Sequence, residues 1–229
     1  MINLRVVASV LLGVVLGVHA LVAQELSQYR EYALGSSVAS VVALSGARAD
    51  GTKTLHDRPA LVQEIEWRAP YVSAGTAGAD PVRDIVFSFY DDQLYRVSVT
   101  YDRDRMEGLT NDDLIESISG TYGVPLLRPA EGAHGGLPGD VRTVSTIVAQ
   151  WEDAGATVIL TRDAYPAQFR LALTSKALYA AARAAIAEAL RLDAQEAPQR
   201  ELDKRTKGVA DARAASARAR VVNKAAFKP

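Results

Sequence analysis

Residues 84–102, DIVFSFYDDQLYRVSVTYD, restrict the fold more than any other part of the chain. Two runs of strictly alternating residues flank an Asp-Asp pair, and period-two alternation is the mark of strands with one buried face. Ile85, Phe87 and Phe89 share one face of the first run, opposite Asp84, Val86, Ser88 and Tyr90. In the second run Tyr95, Val97, Val99 and Tyr101 lie together, opposite Leu94, Arg96, Ser98 and Thr100. Pairing must put both apolar faces on one side. A two-residue loop would set Phe87 against Arg96. The pattern therefore predicts a three-residue loop, Asp91-Asp92-Gln93, with Phe89 facing Tyr95, Phe87 facing Val97 and Ile85 facing Val99.

This register spreads the acids apart. Asp91 and Asp92 sit at the tip, and about 26 Å of strand separates that end from Asp102. A pair of catalytic carboxylates needs a separation of roughly 5–10 Å, so the hairpin alone offers none. The tip acids are expected to be solvated turn residues; a calcium site would need spaced oxygen ligands that this stretch lacks. Ser88, Tyr90 and Arg96, on the polar face, are the candidate partner-facing residues.

The rest of the chain reads as two similar units. In the first, Ser36 or Ser37 caps a helix with Val38, Val41, Val42 and Ser45 on one face, and Gly46 ends it. A polar loop over residues 47–58 leads to a strand ending at Trp67, and the hairpin follows. In the second, Thr110 and Asp113 form a capping box, and Ile115, Ile118 and Tyr122 line the helix. A glycine-rich loop then precedes a strand ending at Trp151 and two further strands, ATVILTR and AQFRLALTS. The chain has only two tryptophans, one in each unit. The predicted fold class is α+β, an antiparallel sheet built from two helix-plus-three-strand pseudo-repeats at about residues 29–104 and 109–174. A closing helix over residues 175–197 is expected to lay Leu178, Ala182, Ile186 and Leu190 on the sheet. Residues 24–198 form a single domain, and residues 199–229 are expected to be a disordered basic tail.

The N-terminus bears on destination. Arg5 precedes an apolar run over residues 6–23, with small-residue cleavage positions after Ala20 and Ala23. That is the pattern of an export signal; an uncleaved membrane anchor is the alternative at this length. The expected location is periplasmic or secreted. The chain has no cysteine, which excludes a disulfide framework, thiol chemistry and a lipid-bearing cysteine. Net charge is −1, but residues 200–229 hold nine Lys/Arg against three Asp/Glu. Residues 24–199 therefore carry −8. A basic tail on an acidic body could contact an anionic surface, while export disfavours nucleic acid as a partner.

Catalytic signatures are missing from the linear pattern. His56 and His134 occupy equivalent loops, but two histidines without a third spaced ligand do not make a zinc site. The loop containing Gly132, Gly135, Gly136 and Gly139 has no strand before it and no helix start after it, so it is not a nucleotide loop. No serine-hydrolase, penicillin-binding or metalloprotease motif is present. The reading assigns no catalytic, cofactor or metal residues.

Three stretches, FSFYDDQLYRVSVTYD, EGLTNDDLIESISGTYGVP and VAQWEDAGATVIL, resemble a set of exported bacterial proteins of unknown function. In these a helix ending in Y-G-x-P precedes a Trp-containing hairpin. More distantly, the repeated order is similar to the αβ modules of the SmpA/OmlA lipoproteins and of the β-lactamase inhibitor protein. The resemblance implies a protein-binding module of the cell envelope. An envelope hydrolase with a loop-assembled site, or an anchored protein whose tail contacts anionic surfaces, are the alternatives.

Overall fold

The computed structural model describes residues 26–70, 80–127, 145–165, 167–226 and 228. The export segment with Ala20 and Ala23, His134 and the glycine-rich loop lie outside them. Local signals set most of the elements. A two-strand ribbon, β1 (Gln28–Tyr29) and β2 (Tyr32–Ala33), opens the fold. Helix α1 (Val38–Ser45) follows; the Ser37 hydroxyl accepts from Ser40 N, and Gly46 closes the helix at φ 65°. That left-handed position is why a glycine ends it. Strands β3 (Lys53–His56), β4 (Val62–Arg68), β5 (Val82–Tyr90) and β6 (Gln93–Tyr101) complete the first half. Helix α2 (Asn111–Tyr122) carries the full capping box between Thr110 and Asp113, and β7 (Ser145–Glu152), β8 (Ala156–Ala164) and β9 (Ala167–Ser175) make the second half.

Seven strands form one antiparallel sheet in the order β3-β4-β5-β6-β9-β8-β7. Each half is thus a helix followed by a meander, and the last strands of the two meanders, β6 and β9, pair at the centre. One sheet face carries the core: Ile65, Ile85, Phe87, Val97, Val99, Trp151, Val158, Leu160, Leu171 and Leu173 pack with Val41 of α1 and with Leu114 and Ile115 of α2. Tyr32 adds its ring against Phe87, with centroids 4.7 Å apart.

Three expectations need correction. The polar loop over residues 47–58 contains β3, an edge strand paired to β4. Its Lys-Thr-Leu-His sequence is exposed or half-buried throughout, so no apolar alternation marks it. The hairpin turns on two residues rather than three. Tyr90 pairs with Gln93 and Phe89 with Leu94, while Ser88 pairs with Arg96 and Phe87 with Val97. Asp91 and Asp92 have φ 44° and 64°, the two positive angles that a type I′ turn requires. A bulge at Tyr95 absorbs the odd residue and restores the core pairing. Leu94 therefore enters the core, and Tyr95 turns to the other face, 6.2 Å from the ring of Tyr179.

The third correction concerns the C-terminus. Helix α3 (Lys176–Ala226) is continuous through Pro198 and includes the segment expected to be disordered. Its buried stripe is Ala182, Ala185 and Ala189, while Leu190 is 58% exposed. Small side chains let the helix lie close against β5, β6 and β9. Arg58 then fastens it through both carboxylate oxygens of Glu196. Pro198 lacks an N–H, and nearby Arg200 donates to the Asp193 carbonyl at 2.8 Å. From residue 197 onward every described position is exposed, so the last ~30 residues of the helix form an arm of about 45 Å. Among the described residues no helix is long and apolar enough to cross a membrane.

The hairpin tip is not merely solvated. Asp92 Oδ1 accepts from Val38 N at 2.9 Å, at the first turn of α1, and Asp91 Oδ1 accepts from Leu61 N at 2.9 Å. Replacing Asp92 by Ala removes that acceptor and puts a Cβ residue without local hydrogen bonding in the left-handed region. The expected loss is about 1–2 kcal/mol in chemical denaturation. Asp92→Gly should lose less, because glycine relieves the backbone term alone.

Candidate functional site

The second face of the sheet is the candidate site, and the strand register builds it. Residues of β4, β5, β6 and β9 line up there in three cross-strand rows. The first row is Glu64, Ser88, Arg96 and Thr174; the second is Glu66, Val86, Ser98 and Ala172; the third is Arg68, Asp84, Thr100 and Arg170. Successive rows lie two residues apart along the strands, about 7 Å, and the four strands span about 14 Å. The outer rows are charged, and the middle row is small apart from Glu66 at its β4 end. The result is a concavity of about 680 Å³ with Val86, Ser98 and Ala172 among its lining residues. Helix α3 leaves β9 at Ser175 and crosses the same face near Tyr95, beside the concavity, which residues of all three rows line.

The charges of the concavity are nearly all matched within it or at its rim. Arg68 pairs with Glu66 at 2.7 Å, and Arg83, the bulge residue of β5, with Asp84 at 2.8 Å. Arg170 reaches Asp163 at 3.1 Å, and Ser145 donates to the same carboxylate at 2.6 Å. Asp163 is 2% exposed and Ser145 7%, so this cluster is enclosed and leaves no room for a reacting group. Glu64 Oε1 accepts from the Ser88 hydroxyl at 3.2 Å. Burial raises the Tyr95 hydroxyl above the usual tyrosine range, against a hydrogen bond with Ser88 and the nearby Arg96 charge. Arg96 is the exception among these arginines. Among the described residues its side chain makes no hydrogen bond or ion pair, and its Nε is enclosed without an acceptor.

Of the three residues singled out from the sequence, Ser88 and Arg96 line this concavity together and Tyr90 does not. Tyr90 adjoins the turn and pairs with Val62. The neighbouring Glu64, Glu66 and Arg68 come from β4, where their own alternation with Gln63, Ile65 and Trp67 marks them as one face. Arg170 follows from the same rule applied to Phe169, Leu171 and Leu173 on β9. What the linear pattern does not contain is the pairing of β6 with β9, which brings Thr100 and Arg170 into one row.

A second polar grouping lies on the core side of the sheet, next to the third row. Tyr29, Tyr101 and Tyr122 meet where β1, β6 and the end of α2 converge, with Tyr101 hydrogen-bonded to Tyr29 and Tyr122 donating to the Gln28 carbonyl at 3.0 Å. Burial pushes Tyr29 and Tyr101 up, and Tyr122 up to about 12. Arg30 clamps Asp80 through two hydrogen bonds of 2.6 and 2.8 Å beside them. His56 sits on β3. No group of three or more His, Cys, Asp or Glu residues placed to hold a metal ion occurs among the described residues. Comparison of the chain with family models, with curated proteins and with solved structures finds no match in any of the three.

Proposed function

We propose that the chain is an exported, non-enzymatic binding module of the cell envelope that receives a protein partner on the open face of its sheet. The observation that carries this reading is the three-row concavity itself. Helices α1 and α2 cover one face of the sheet, while the other, which α3 crosses only near Tyr95, keeps a shallow trough between two charged rows. Sheets that need only solvation on their second face commonly present mixed polar side chains without an enclosing shape. A concave, partly apolar surface with a few placed polar groups is the usual form of a recognition site. The export part of the proposal rests on the N-terminal apolar run with its positions at Ala20 and Ala23.

The exposed basic arm favours a second role. Residues 212–226 contain Arg213, Arg218, Arg220 and Lys224 and no acidic residue. Such an arm attracts an anionic surface without inserting, because Leu202, Val209, Val221 and Val222 do not gather on one face of the helix.

One experiment addresses export and binding together. A photo-crosslinking residue is placed at Ser98, in the trough, or at Glu116, on the exposed side of α2, and irradiated in the source cells. An adduct of defined mass is expected from position 98 and not from 116, on protein whose N-terminus starts at Leu21 or Gln24. Equal labelling at the two positions, or none at 98, overturns the binding reading. An intact N-terminus overturns cleavage.

A further inference from the structure

We infer that Arg96 is the specificity point of the open sheet face, and that it receives a carboxylate side chain, Asp or Glu, from a protein segment lying in the trough. This deepens the binding reading and rests on it. Arg68, Arg83 and Arg170 each have a carboxylate partner. Arg96, in the row between Ser88 and Thr174, has none among the described residues. An arginine held at the floor of a concavity with an enclosed, unsatisfied N–H loses hydration and gains nothing in return. The enclosed Nε is out of a ligand's reach, so a carboxylate meets the guanidinium at its terminal NH2 groups, through two parallel hydrogen bonds.

The neighbouring charges select the class of anion. Glu64, Glu66 and Asp84 already line the same space. With Glu66, Asp84 and Asp163 taken by Arg68, Arg83 and Arg170, Arg96 faces only Glu64 as an unpaired carboxylate, so a singly charged carboxylate is repelled less than a doubly charged phosphate. The trough beside Arg96 also favours a segment over a small acid. Val86, Ser98 and Ala172 offer a shallow, small-residue floor about 7 Å from the arginine row, which suits an apolar side chain close to the acidic one. The partner class is therefore a protein segment with an acidic residue next to an apolar one.

The test uses the full chain and a random peptide library displayed against it. Wild-type protein should enrich peptides with Asp or Glu at a fixed position beside an apolar residue, and Arg96→Gln, shown folded by circular dichroism, should lose that preference. A synthetic version of the best peptide should bind about tenfold more weakly when its acid is replaced by the amide, the loss expected for one charge-assisted contact. On the unmutated protein, the Nε–H resonance of Arg96 should shift with the acidic peptide and stay in place with the amide version, so the result does not depend on a variant folding. Peptides selected without an acidic position, or an acidic preference that persists in folded Arg96→Gln, overturn the assignment of Arg96 alone. Failure to enrich any peptide overturns this assignment and the binding reading together.

Discussion

Replacing Trp151 by Ala is expected to lower the unfolding free energy by about 3–5 kcal/mol, the usual range for truncating a fully packed aromatic residue. Trp151 is 1% exposed and is the largest of the fully enclosed side chains. It stands on β7, at the edge of the sheet, where fewer neighbours can close a cavity from the outer side. Its ring NH also donates to the Gly123 carbonyl at 2.9 Å, at the C-terminal cap of α2. The substitution therefore opens the core and releases the end of a helix in one step. For a domain of this size the melting temperature should fall on the order of 10 °C. Trp151→Phe keeps most of the packing and leaves the Gly123 carbonyl without that donor, so its loss should be smaller, about 1–2 kcal/mol. Differential scanning calorimetry on the three proteins checks the order. A change below about 1 kcal/mol for Trp151→Ala would show that β7 and α2 contribute little to the cooperative unit.

How much of this arrangement was readable before folding depends on the element. The capping box at Thr110 and Asp113, the Gly46 stop and strands β4 to β9 follow from local signals, because each uses a side chain within a few residues of its own backbone. The hairpin register shows where locality ends. Leu94 and Tyr95 are both apolar enough to face a core, so alternation alone cannot say which of them does. Backbone preference for a tight type I′ turn decides it, and the bulge follows. Strand β3 is short, polar and at an edge, and its existence depends on the hydrogen bonds that β4 offers. The arm beyond Pro198 lacks an amphipathic face, the sign usually sought for a helix. It is held by alanine propensity, by pairs such as Glu201 with Arg205, and by continuity with the part of α3 anchored to the sheet. For the site, alternation placed Ser88 and Arg96 on the correct face. That Arg96 is left without a partner is a property of three dimensions: Arg68 meets Glu66 within its own strand, but the Arg83–Asp84 pair depends on a bulge and Arg170–Asp163 crosses strands.

Alkaline pH should unfold the protein through its tyrosines. Burial raises Tyr29, Tyr101 and Tyr122 above the ordinary value of about 10, Tyr122 to about 12. Tyr101 and Tyr29 are hydrogen-bonded, and ionising either places a negative charge beside the other hydroxyls. A group whose folded pKa lies above its unfolded value contributes its stability in full below the unfolded pKa and loses it as pH rises through the folded one. Stability should therefore hold up to about pH 10 and fall between pH 10 and 12. A two-unit shift corresponds to about 2–3 kcal/mol for Tyr122 alone, with Tyr101 and Tyr29 adding in the same direction. Arg30 works against this by favouring phenolate at Tyr29, but its charge is already held by Asp80. Tyrosinate absorbance and circular dichroism followed together through a pH titration give the check. The cluster should ionise only as the secondary-structure signal is lost, and Tyr101→Phe should make the fall with pH shallower while costing some stability at neutral pH. If tyrosinate forms well before any loss of structure, and Tyr101→Phe leaves the titration unchanged, then solvent reaches the cluster in the folded state. The junction of β1, β6 and α2 would then not be the sealed end of the core that its burial describes.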